Sequence, residues 1–251
     1  MHNRLFTLLK TLTVLISLTA SASYAAAPNI NVGTLHDYIN GKQSTELKRI
    51  YNAGDATAFV RVTVHEIVYD EKGVPKEVEA GEILGDSQNA DTLIVSPARL
   101  IIPASGIQSA RLLFVGPRDK ERYFRVRYIP VLPDINDNFN LSAEESADYN
   151  SSLQAGFNLL AGYGTIVFVH PAQELYDTQI TPYNDKVVIR NNGNTTIKLD
   201  KLTQCDAGNT TCDKPILEHI LPGKTKTLHK DAGRHYRFEL QEGEQKKMQE
   251  F

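Results

Sequence analysis

Short runs of alternating apolar and polar residues recur through most of the chain, and this pattern constrains the fold more than any other feature of the sequence. The clearest run, Ala58 to Tyr69, places Val60, Val62 and Val64 on one face of an extended strand. The alternation then changes parity, which predicts a β-bulge near Glu66. The 16 glycines and 11 prolines lie mostly between such runs. The runs recur at the roughly 8–12-residue spacing of a β-sandwich. Further strands are predicted at Leu93–Val95, Arg99–Ile102, Ala110–Val115 and Arg122–Val131.

A second set of predicted strands begins after His170-Pro171. We expect a connector from Ala172 to Asn184, a tight hairpin at Asn192-Gly193 and a frayed polar tail from Gln241 onward. The strands of this set are predicted at Lys186–Arg190, Thr196–Leu202, Ile216–Ile220, Thr225–His229 and Arg234–Leu240. The 251 residues therefore predict an all-β protein with two domains, at 26–171 and 172–251.

The N-terminus has the features of a secretory signal peptide. Arg4 and Lys10 flank an apolar run from Leu5 to Leu18, small residues follow, and cleavage is predicted after Ala25. A single membrane anchor is the alternative, but an anchor needs about 20 apolar residues, and Lys10 with several Thr and Ser interrupts this run. We therefore expect residues 1–25 to be removed on export.

Export makes the two cysteines informative, because disulfide bonds persist in oxidising compartments. Cys205 and Cys212 are the only cysteines in the chain. The polar and small residues between them can form a turn that brings the two within bridging distance. A zinc site would need further ligands nearby, and the sequence has none there. We predict a disulfide bond between Cys205 and Cys212.

Charge and motif content exclude several classes of function. The formal net charge of -3 disfavours a broad electrostatic surface for nucleic acid. His65-Glu66 lacks the second histidine of a metalloprotease helix, and Gly162-Tyr163-Gly164 lacks the third glycine of a dinucleotide fingerprint. The sequence contains no nucleophile elbow and no phosphate loop. We expect no enzymatic activity, no cofactor and no metal.

The stretch from Asp134 to Val169 departs from the pattern of short strands. Asp134 to Ser152 holds five acidic residues and no Lys or Arg, so a solvated loop with at most one helical turn is expected there. Leu153 to Val169 then alternates, and extended it would span about 55 Å, far more than a typical strand. The alternation leaves two interpretations open. The stretch is either an ordinary amphipathic strand covered by its own domain, or an unpaired edge strand whose row of apolar side chains must be covered by another protein.

Several segments in a fixed order carry a resemblance to a known family. The two most specific are Lys-Glu-Arg-Tyr-Phe-Arg from Lys120 and Gly-Thr-Ile-Val-Phe-Val-His-Pro from Gly164. Together the segments resemble the periplasmic chaperones of chaperone–usher pili in Gram-negative bacteria, and most of all the alternate branch that serves the common pilus of Escherichia coli and the class 5 fimbriae. The resemblance covers essentially the whole mature chain. Its other segments are Leu93–Pro103, Ala110–Pro117, Asn191–Thr196 and Leu221–Lys224.

The resemblance implies two Ig-like β-sandwiches in a boomerang arrangement, located in the periplasm. Such a chaperone binds a pilus subunit, which is a pilin or a tip adhesin, and inserts a strand into the gap where the subunit lacks its own. It then passes the subunit to an outer-membrane usher. By position the donor strand is Leu153 to Val169. In the free protein, Phe157 and Leu159 are expected to be exposed or covered by a second copy. The inserted side chains would be those of Leu153, Ala155, Phe157, Leu159 and Ala161.

The family also implies a site for the subunit's C-terminal carboxylate in the cleft between the domains. The two basic positions of the better-known branch match His36 and Ile166, so this sequence departs from that pattern. The alternate branch keeps an arginine that matches Arg125, and Arg127 and Arg61 are further candidates. An arginine fork suits a carboxylate, although a solvated charged face would have the same pattern.

The alternative function is that of a secreted or periplasmic two-domain pilus subunit or adhesin. A subunit of that kind should carry a donor extension at its mature N-terminus. Residues 26–34 are too short and too weakly apolar for this role. The sequence therefore favours the chaperone.

Overall fold

The computed structural model describes residues 27–80, 91–134, 139–154 and 160–251. The predicted signal peptide, residues 1–25, lies outside this part of the chain. Within the described ranges, no helix is long and apolar enough to cross a bilayer. The first set of elements is β1 (Ile30–Asn31), β2 (His36–Ile39), β3 (Thr45–Asn52), β4 (Ala58–Tyr69), β5 (Pro75–Glu79), β6 (Thr92–Ser96), β7 (Arg99–Ile102), β8 (Ile107–Val115), β9 (Arg122–Pro130), α1 (Ala143–Gln154) and β10 (Tyr163–Val169). The second set is β11 (Thr178–Pro182), β12 (Lys186–Asn191), β13 (Ile197–Asp206), β14 (Ile216–Ile220), β15 (Thr225–His229), β16 (Arg234–Glu242) and β17 (Gln245–Glu250).

The first set of strands forms two sheets around one core. One sheet has the order β1-β3-β8-β6, and the other has the order β2-β10-β9-β4-β5, with β7 also paired to β4. β2 runs parallel to β10 at the edge of the second sheet. Phe124, Tyr128 and Val167 point inward and are fully buried. A buried ion pair between Lys48 Nζ and Asp37 Oδ1, 2.9 Å apart, links β3 of one sheet to β2 of the other.

β4 has the predicted bounds, but the predicted bulge is wrong. Its pairing with β9 is continuous from Val60 to Ile67. The change of parity has a different cause. Glu66 points to the same side as the buried valines and accepts two 2.7 Å hydrogen bonds from the Arg122 guanidinium, while Ile67 is buried on the opposite face.

The second set of strands forms a smaller sandwich from the sheets β11-β12-β15 and β14-β13-β16-β17. The prediction of an all-β protein with two sandwiches is confirmed. Two strands of the second sandwich, β11 and β17, were not predicted. β11 lies where a connector was expected, and β17 lies in the tail that was expected to be frayed. Phe251 packs against this core and exchanges two backbone hydrogen bonds with Tyr236. The tail is ordered despite its polarity, because backbone pairing at a sheet edge does not depend on apolar side chains.

A buried asparagine followed two residues later by a glycine makes the corner between β12 and β13. Asn191 Nδ2 donates to the backbone oxygens of Thr195 and Ile220, both at 2.9 Å. Its Oδ1 accepts from Gly193 N at 3.0 Å. A Cβ at Gly193 would lie 2.3 Å from the oxygen of Leu175, so the corner requires glycine.

The same corner occurs between β3 and β4 of the first sandwich. Asn52 Nδ2 donates to Ala56 O at 2.7 Å, and Oδ1 accepts from Gly54 N at 3.0 Å. Each corner takes the chain from one sheet to the facing sheet. The predicted hairpin at Asn192-Gly193 is therefore wrong, because β12 and β13 do not pair with each other. The repeated Asn-x-Gly is a sequence signal for a crossing between sheets.

Helix α1 occupies the second half of the predicted acidic loop, which corrects the expectation of a loop to residue 152. Ser142 and Glu145 form a capping box: Ser142 Oγ accepts from Glu145 N at 3.1 Å, and the Glu145 carboxylate accepts from Ser142 N at 2.8 Å. Tyr149 then packs edge-on against Phe59 of β4, with ring centroids 4.8 Å apart. This packing stabilises a helix whose polar sequence would be marginal on its own.

Candidate functional site

The outer face of the six-stranded sheet collects the predicted anchor residues. On β9, Phe124 and Val126 point into the core, so Arg125 and Arg127 point outward, as predicted. Arg61 of β4 lies on the same face, because Val60 and Val62 are buried on the other. The sheet therefore places the three candidate arginines on one face, with Arg125 and Arg127 close together.

Arg125 and Arg127 share one carboxylate in this structure. Arg125 Nε lies 3.4 Å from Glu77 Oε1, and a terminal nitrogen of Arg127 lies 2.5 Å from Glu77 Oε2. Arg127 also contacts His65 Nδ1 at 3.1 Å. Because a guanidinium can only donate, the histidine nitrogen is the acceptor in this contact. Partial burial raises the pKa of the Glu77 carboxyl, but the hydrogen bonds and charges of Arg127 and Arg125 outweigh this effect and lower the pKa overall.

Arg125 lies in one row with the two positions that are basic in the better-known branch. Ile166 of β10 pairs with His36 on one side and with Arg125 on the other. The Arg125 side chain passes Gly164, where a Cβ would lie 3.4 Å from its Cδ. Burial lowers the pKa of His36, with Asp37 opposing this effect, so His36 is neutral at pH 7. Arg125 therefore provides the permanent positive charge in this row.

The start of β10 is an open strand edge. β9 pairs with β10 over its whole length, from Tyr163 to Val169. β2 pairs only with the last four residues, beginning at Ile166, and Ile166 N donates to Leu35 O at 2.9 Å. Within the described part of the chain, Tyr163 to Thr165 therefore have a paired strand on one side only. This edge follows directly after the predicted donor residues.

The structure describes only two of the five predicted donor residues. Leu153 lies at the end of α1 and is 4% exposed, so the prediction that the strand begins there is wrong for this form of the protein. The capped helix continues through that residue and packs it into the fold of its own chain. Ala161 is exposed and lies just before β10. Ala155, Phe157 and Leu159 lie outside the described residues.

An aromatic cluster at the end of the same sheet face contacts the second sandwich. The hydroxyl oxygen of Tyr38 lies 2.7 Å from His219 Nε2, and Phe168 stacks on the His219 ring at a centroid distance of 4.8 Å. The rings of His36 and His219 are 4.5 Å apart. Burial lowers the pKa of His219 to about 4, and the neighbouring charges of His36 and Lys198 act in the same direction. The ring is therefore neutral at pH 7.

A buried carboxylate joins the two sandwiches beside this cluster. Glu121 accepts hydrogen bonds from Thr196 N, at 3.0 and 3.1 Å, from Thr196 Oγ1 at 2.5 Å and from the Tyr123 hydroxyl at 2.7 Å. Burial raises the pKa of Glu121, while these hydrogen bonds oppose the effect. His170 Nε2 lies 3.6 Å from Glu121 Oε1 and contacts Glu174 through Nδ1 at 3.2 Å.

The sequence analysis missed these joint residues, although a signal was present. Glu121 and Tyr123 belong to the segment beginning at Lys120, which was the most specific part of the resemblance. Thr196 ends another segment of the resemblance, Asn191–Thr196, whereas no local pattern singles out His219. Both segments point to Glu121 and Thr196, but not to their contact, because the two residues lie 75 positions apart in the chain.

The disulfide bond between Cys205 and Cys212 is present, with the two Cα atoms 4.1 Å apart. The Asp206 carboxylate accepts from Thr210 N at 2.8 Å and closes the turn between them. Cys205 lies at the far end of β13 from Thr196, which contacts the first sandwich. Among the residues that the structure describes, no group of three or more His, Cys, Asp or Glu could hold a metal ion.

No family model matches the chain. The class 5 fimbriae chaperone CfaA has the same fold, with a TM-score of 0.51 and 22% identity over 88% of this chain and 98% of that chain. A chain of the CsuC–CsuE chaperone–tip adhesion subunit pre-assembly complex of Acinetobacter baumannii matches with a TM-score of 0.50 and 14% identity, over 88% of this chain and 97% of that chain.

The architecture is therefore that of the two-domain pilus chaperones. At the sequence level, the chain is 27% identical over 222 residues to the probable fimbrial chaperone EcpB of Escherichia coli O157:H7, covering 86% of this chain and 87% of the relative. The chain is homologous to EcpB, which confirms the resemblance read from its motifs.

Proposed function

We propose that this protein is a periplasmic, non-enzymatic chaperone of pilus assembly. It binds a pilus subunit, supplies the strand that the subunit lacks and delivers the subunit to an outer-membrane usher. The homology to EcpB and the shared fold support this function over that of a pilus subunit or adhesin. We also propose the division at 171/172 as the domain boundary, with residues 1–25 as the export signal.

The open edge of β10 is the observation that carries this proposal. Tyr163 to Thr165 pair with β9 on one side, and β2 begins only opposite Ile166. No strand among the described residues pairs with this second side, so an incoming strand can bond to the backbone there. The residues just before it alternate in the sequence from Leu153 to Ala161, so their apolar side chains would enter the partner's core while the backbone adds affinity. Because Leu153 is packed at the end of α1, we propose Ala155 to Ala161 as the main donor segment.

The arginines of the outer face supply the second part of the function. Arg125 lies in the row of His36 and Ile166, and Arg127 lies beside it on β9. We propose that Arg125, supported by Arg127, binds the C-terminal carboxylate of the subunit. Arg61 is the third candidate. Such an anchor would set the register in which the subunit adds its strand.

The donor segment is tested by changing Phe157 and Leu159 together to Asp. Each apolar side chain moved from water into a core contributes about 1.5–3 kcal/mol, and a buried unpaired charge is costly. We expect the double variant to lose co-purification with a co-expressed pilus subunit, while the melting temperature of the free protein changes little. The matched control is Asn158→Asp, on the opposite parity, which should retain binding.

Two results would count against the proposal. If the double variant unfolds the isolated protein, the segment is a core strand of its own domain and not a donor. If the protein is found as a component of mature pili, it is a subunit. A chaperone should co-purify one-to-one with a subunit and be absent from the assembled fibre.

A further inference from the structure

The carboxylate of Glu77 occupies the position between Arg125 and Arg127. It comes from β5, the edge strand of the sheet, and reaches across β4 to β9. One carboxylate oxygen faces Arg125 and the other faces Arg127. This is the arrangement that any carboxylate would take between two guanidinium groups.

This carboxylate is bound closely by Arg127, at 2.5 Å, but only weakly by Arg125, and the cluster is more exposed than another ion pair that β9 forms. The contact to Arg125 is 3.4 Å long, and the side chains of Arg125, Arg127 and Glu77 are 31%, 36% and 33% exposed. Arg122 and Glu66 instead form two 2.7 Å bonds, with side chains 12% and 21% exposed. Exposed ion pairs contribute little to stability, so displacing Glu77 is inexpensive, whereas displacing Glu66 is not.

We propose that Glu77 is an internal placeholder for the subunit's terminal carboxylate. It occupies the Arg125–Arg127 site in the free protein and leaves when the external carboxylate binds. The inference rests on the proposed function, because it assigns a competitor to the same site. Two consequences follow from the competition. In the absence of a subunit, Glu77 keeps the positive charges of Arg125 and Arg127 close together. It also lowers the affinity of the site for any carboxylate that makes no further contacts with the protein.

The selectivity that results has a physical basis. The apparent affinity of the site for an external carboxylate is its intrinsic affinity multiplied by the fraction of molecules in which Glu77 has left the site. A small free anion cannot compensate for this reduction. A subunit can, because its strand pairs with the edge of β10 at the same time and raises the local concentration of its own terminus. The placeholder thus favours a complete subunit over a small anion or a peptide fragment.

The test compares the full-length mature protein with its Glu77→Gln variant, using N-acetylglycine as the probe. Titration is followed by NMR on the arginine Nε–Hε signals. We expect the variant to bind N-acetylglycine with a Kd about three- to tenfold lower, as the loss of two exposed ion pairs implies. Neither protein should respond to N-acetylglycinamide, which lacks the carboxylate. Glu71→Gln, which removes the same charge from the exposed turn between β4 and β5, is the matched control and should behave as the unaltered protein does.

The outcomes separate this inference from the function on which it rests. If Glu77→Gln binds the probe no more tightly than the unaltered protein, and Arg125→Ala abolishes binding in both backgrounds, the carboxylate site stands and the placeholder is overturned. If the probe moves no arginine signal in any variant, or if binding survives Arg125→Ala, the carboxylate site itself is overturned and the placeholder with it. Glu77→Ala provides a second removal of the charge, and the melting temperature of each variant verifies that it is folded.

Discussion

At the scale of single residues, β9 carries arginines with two different tasks. Arg122 binds the Glu66 carboxylate, and its guanidinium lies 5.2 Å from the ring centroid of Phe114 and 5.4 Å from that of Phe124. This arginine is part of the packed first sandwich. Arg125, three positions later, faces the open side of the sheet. Alternation along one strand therefore turns Arg122 towards the core and Arg125 towards the outer face, where we propose that it binds the subunit.

The anchor role of Arg125 predicts a loss of binding without a loss of folding. Arg125→Ala should abolish stable subunit complexes, since removing one partner of a charged pair that the bound subunit partly buries costs about 3–5 kcal/mol. Arg125→Lys should restore binding only in part, because a point charge does not reproduce the guanidinium fork. Co-purification of a co-expressed subunit measures the first effect and circular dichroism measures folding. Normal complexes with Arg125→Ala would contradict the assignment, and Arg127 and then Arg61 would be tested next.

At the scale of elements, α1 and β10 border the segment proposed as the donor. The capping box starts α1, and its end packs Leu153 into the fold. β10 begins at Tyr163 with one edge open. The proposed donor residues thus connect a capped helix to a strand edge with which no other described strand pairs. A subunit strand that pairs with Tyr163 to Thr165 would continue directly along this segment.

The disulfide turn is an element that should matter for stability and not for binding. Replacing Cys205 and Cys212 together by Ser should lower the free energy of unfolding of the second sandwich by about 2–3 kcal/mol, because the bond restrains a short loop in the unfolded chain. Subunit binding should persist, since the bond lies at the end of β13 that is remote from Thr196. Thermal unfolding and co-purification measure the two effects. Two free thiols in protein purified without reductant would contradict the prediction that the bond forms.

At the scale of the whole molecule, the two sandwiches meet through neutral histidines and one buried acid. His36 and His219 face each other, and His170 lies beside Glu121. Burial is the largest cause of the lowered pKa of each of these three histidines. The joint is therefore built for neutral rings at pH 7. Protonation of both rings would place two positive charges, on His36 and His219, at a centroid distance of 4.5 Å.

This arrangement predicts that acid destabilises the joint. The pKa of His219 is about 4 when folded and 6.5 when exposed, so the unfolded state binds more protons between these values. The neutral His219 ring makes its full contribution to the free energy of unfolding above pH 6.5. This contribution, at most about 3 kcal/mol, is lost as the pH falls towards 4. His36 and His170 act in the same direction. Glu121 acts in the opposite direction, because its pKa is raised and its protonated form is favoured in the fold.

The measurement is the free energy of unfolding in urea at pH 7 and at pH 4.5. His219→Gln keeps a side chain that can bond to the Tyr38 hydroxyl but cannot gain a proton. It should lose less stability between the two pH values than the unaltered protein, and the contribution of Glu121 cancels in this comparison. His229→Gln, on an exposed strand position, is the control and should leave the difference unchanged. An equal loss in His219→Gln would contradict the prediction.

Local alternation was sufficient to place most strands. Arg99–Ile102 was predicted with its observed bounds, because short apolar runs ended by proline or glycine leave few alternatives. The disulfide between Cys205 and Cys212 was also predictable, since the two residues are close in the chain and the turn between them is polar. The outward direction of Arg125 and Arg127 followed from the inward direction of their neighbours. All of these depend on contacts among nearby residues.

Only the tertiary structure decided which distant groups meet. The polar strand β17 forms because β16 offers an edge, and no pattern within Gln245 to Glu250 indicates it. Glu77 reaches Arg125 from 48 residues earlier in the chain, and Glu121 reaches Thr196 across 75 residues. Such pairs depend on the order of strands in the sheets and on how the two sandwiches pack. The alternating sequence therefore determined most strands and the faces of their side chains. The order of strands within the sheet determined which carboxylate lies in the arginine site, because that contact exists only when β5, β4 and β9 are brought side by side.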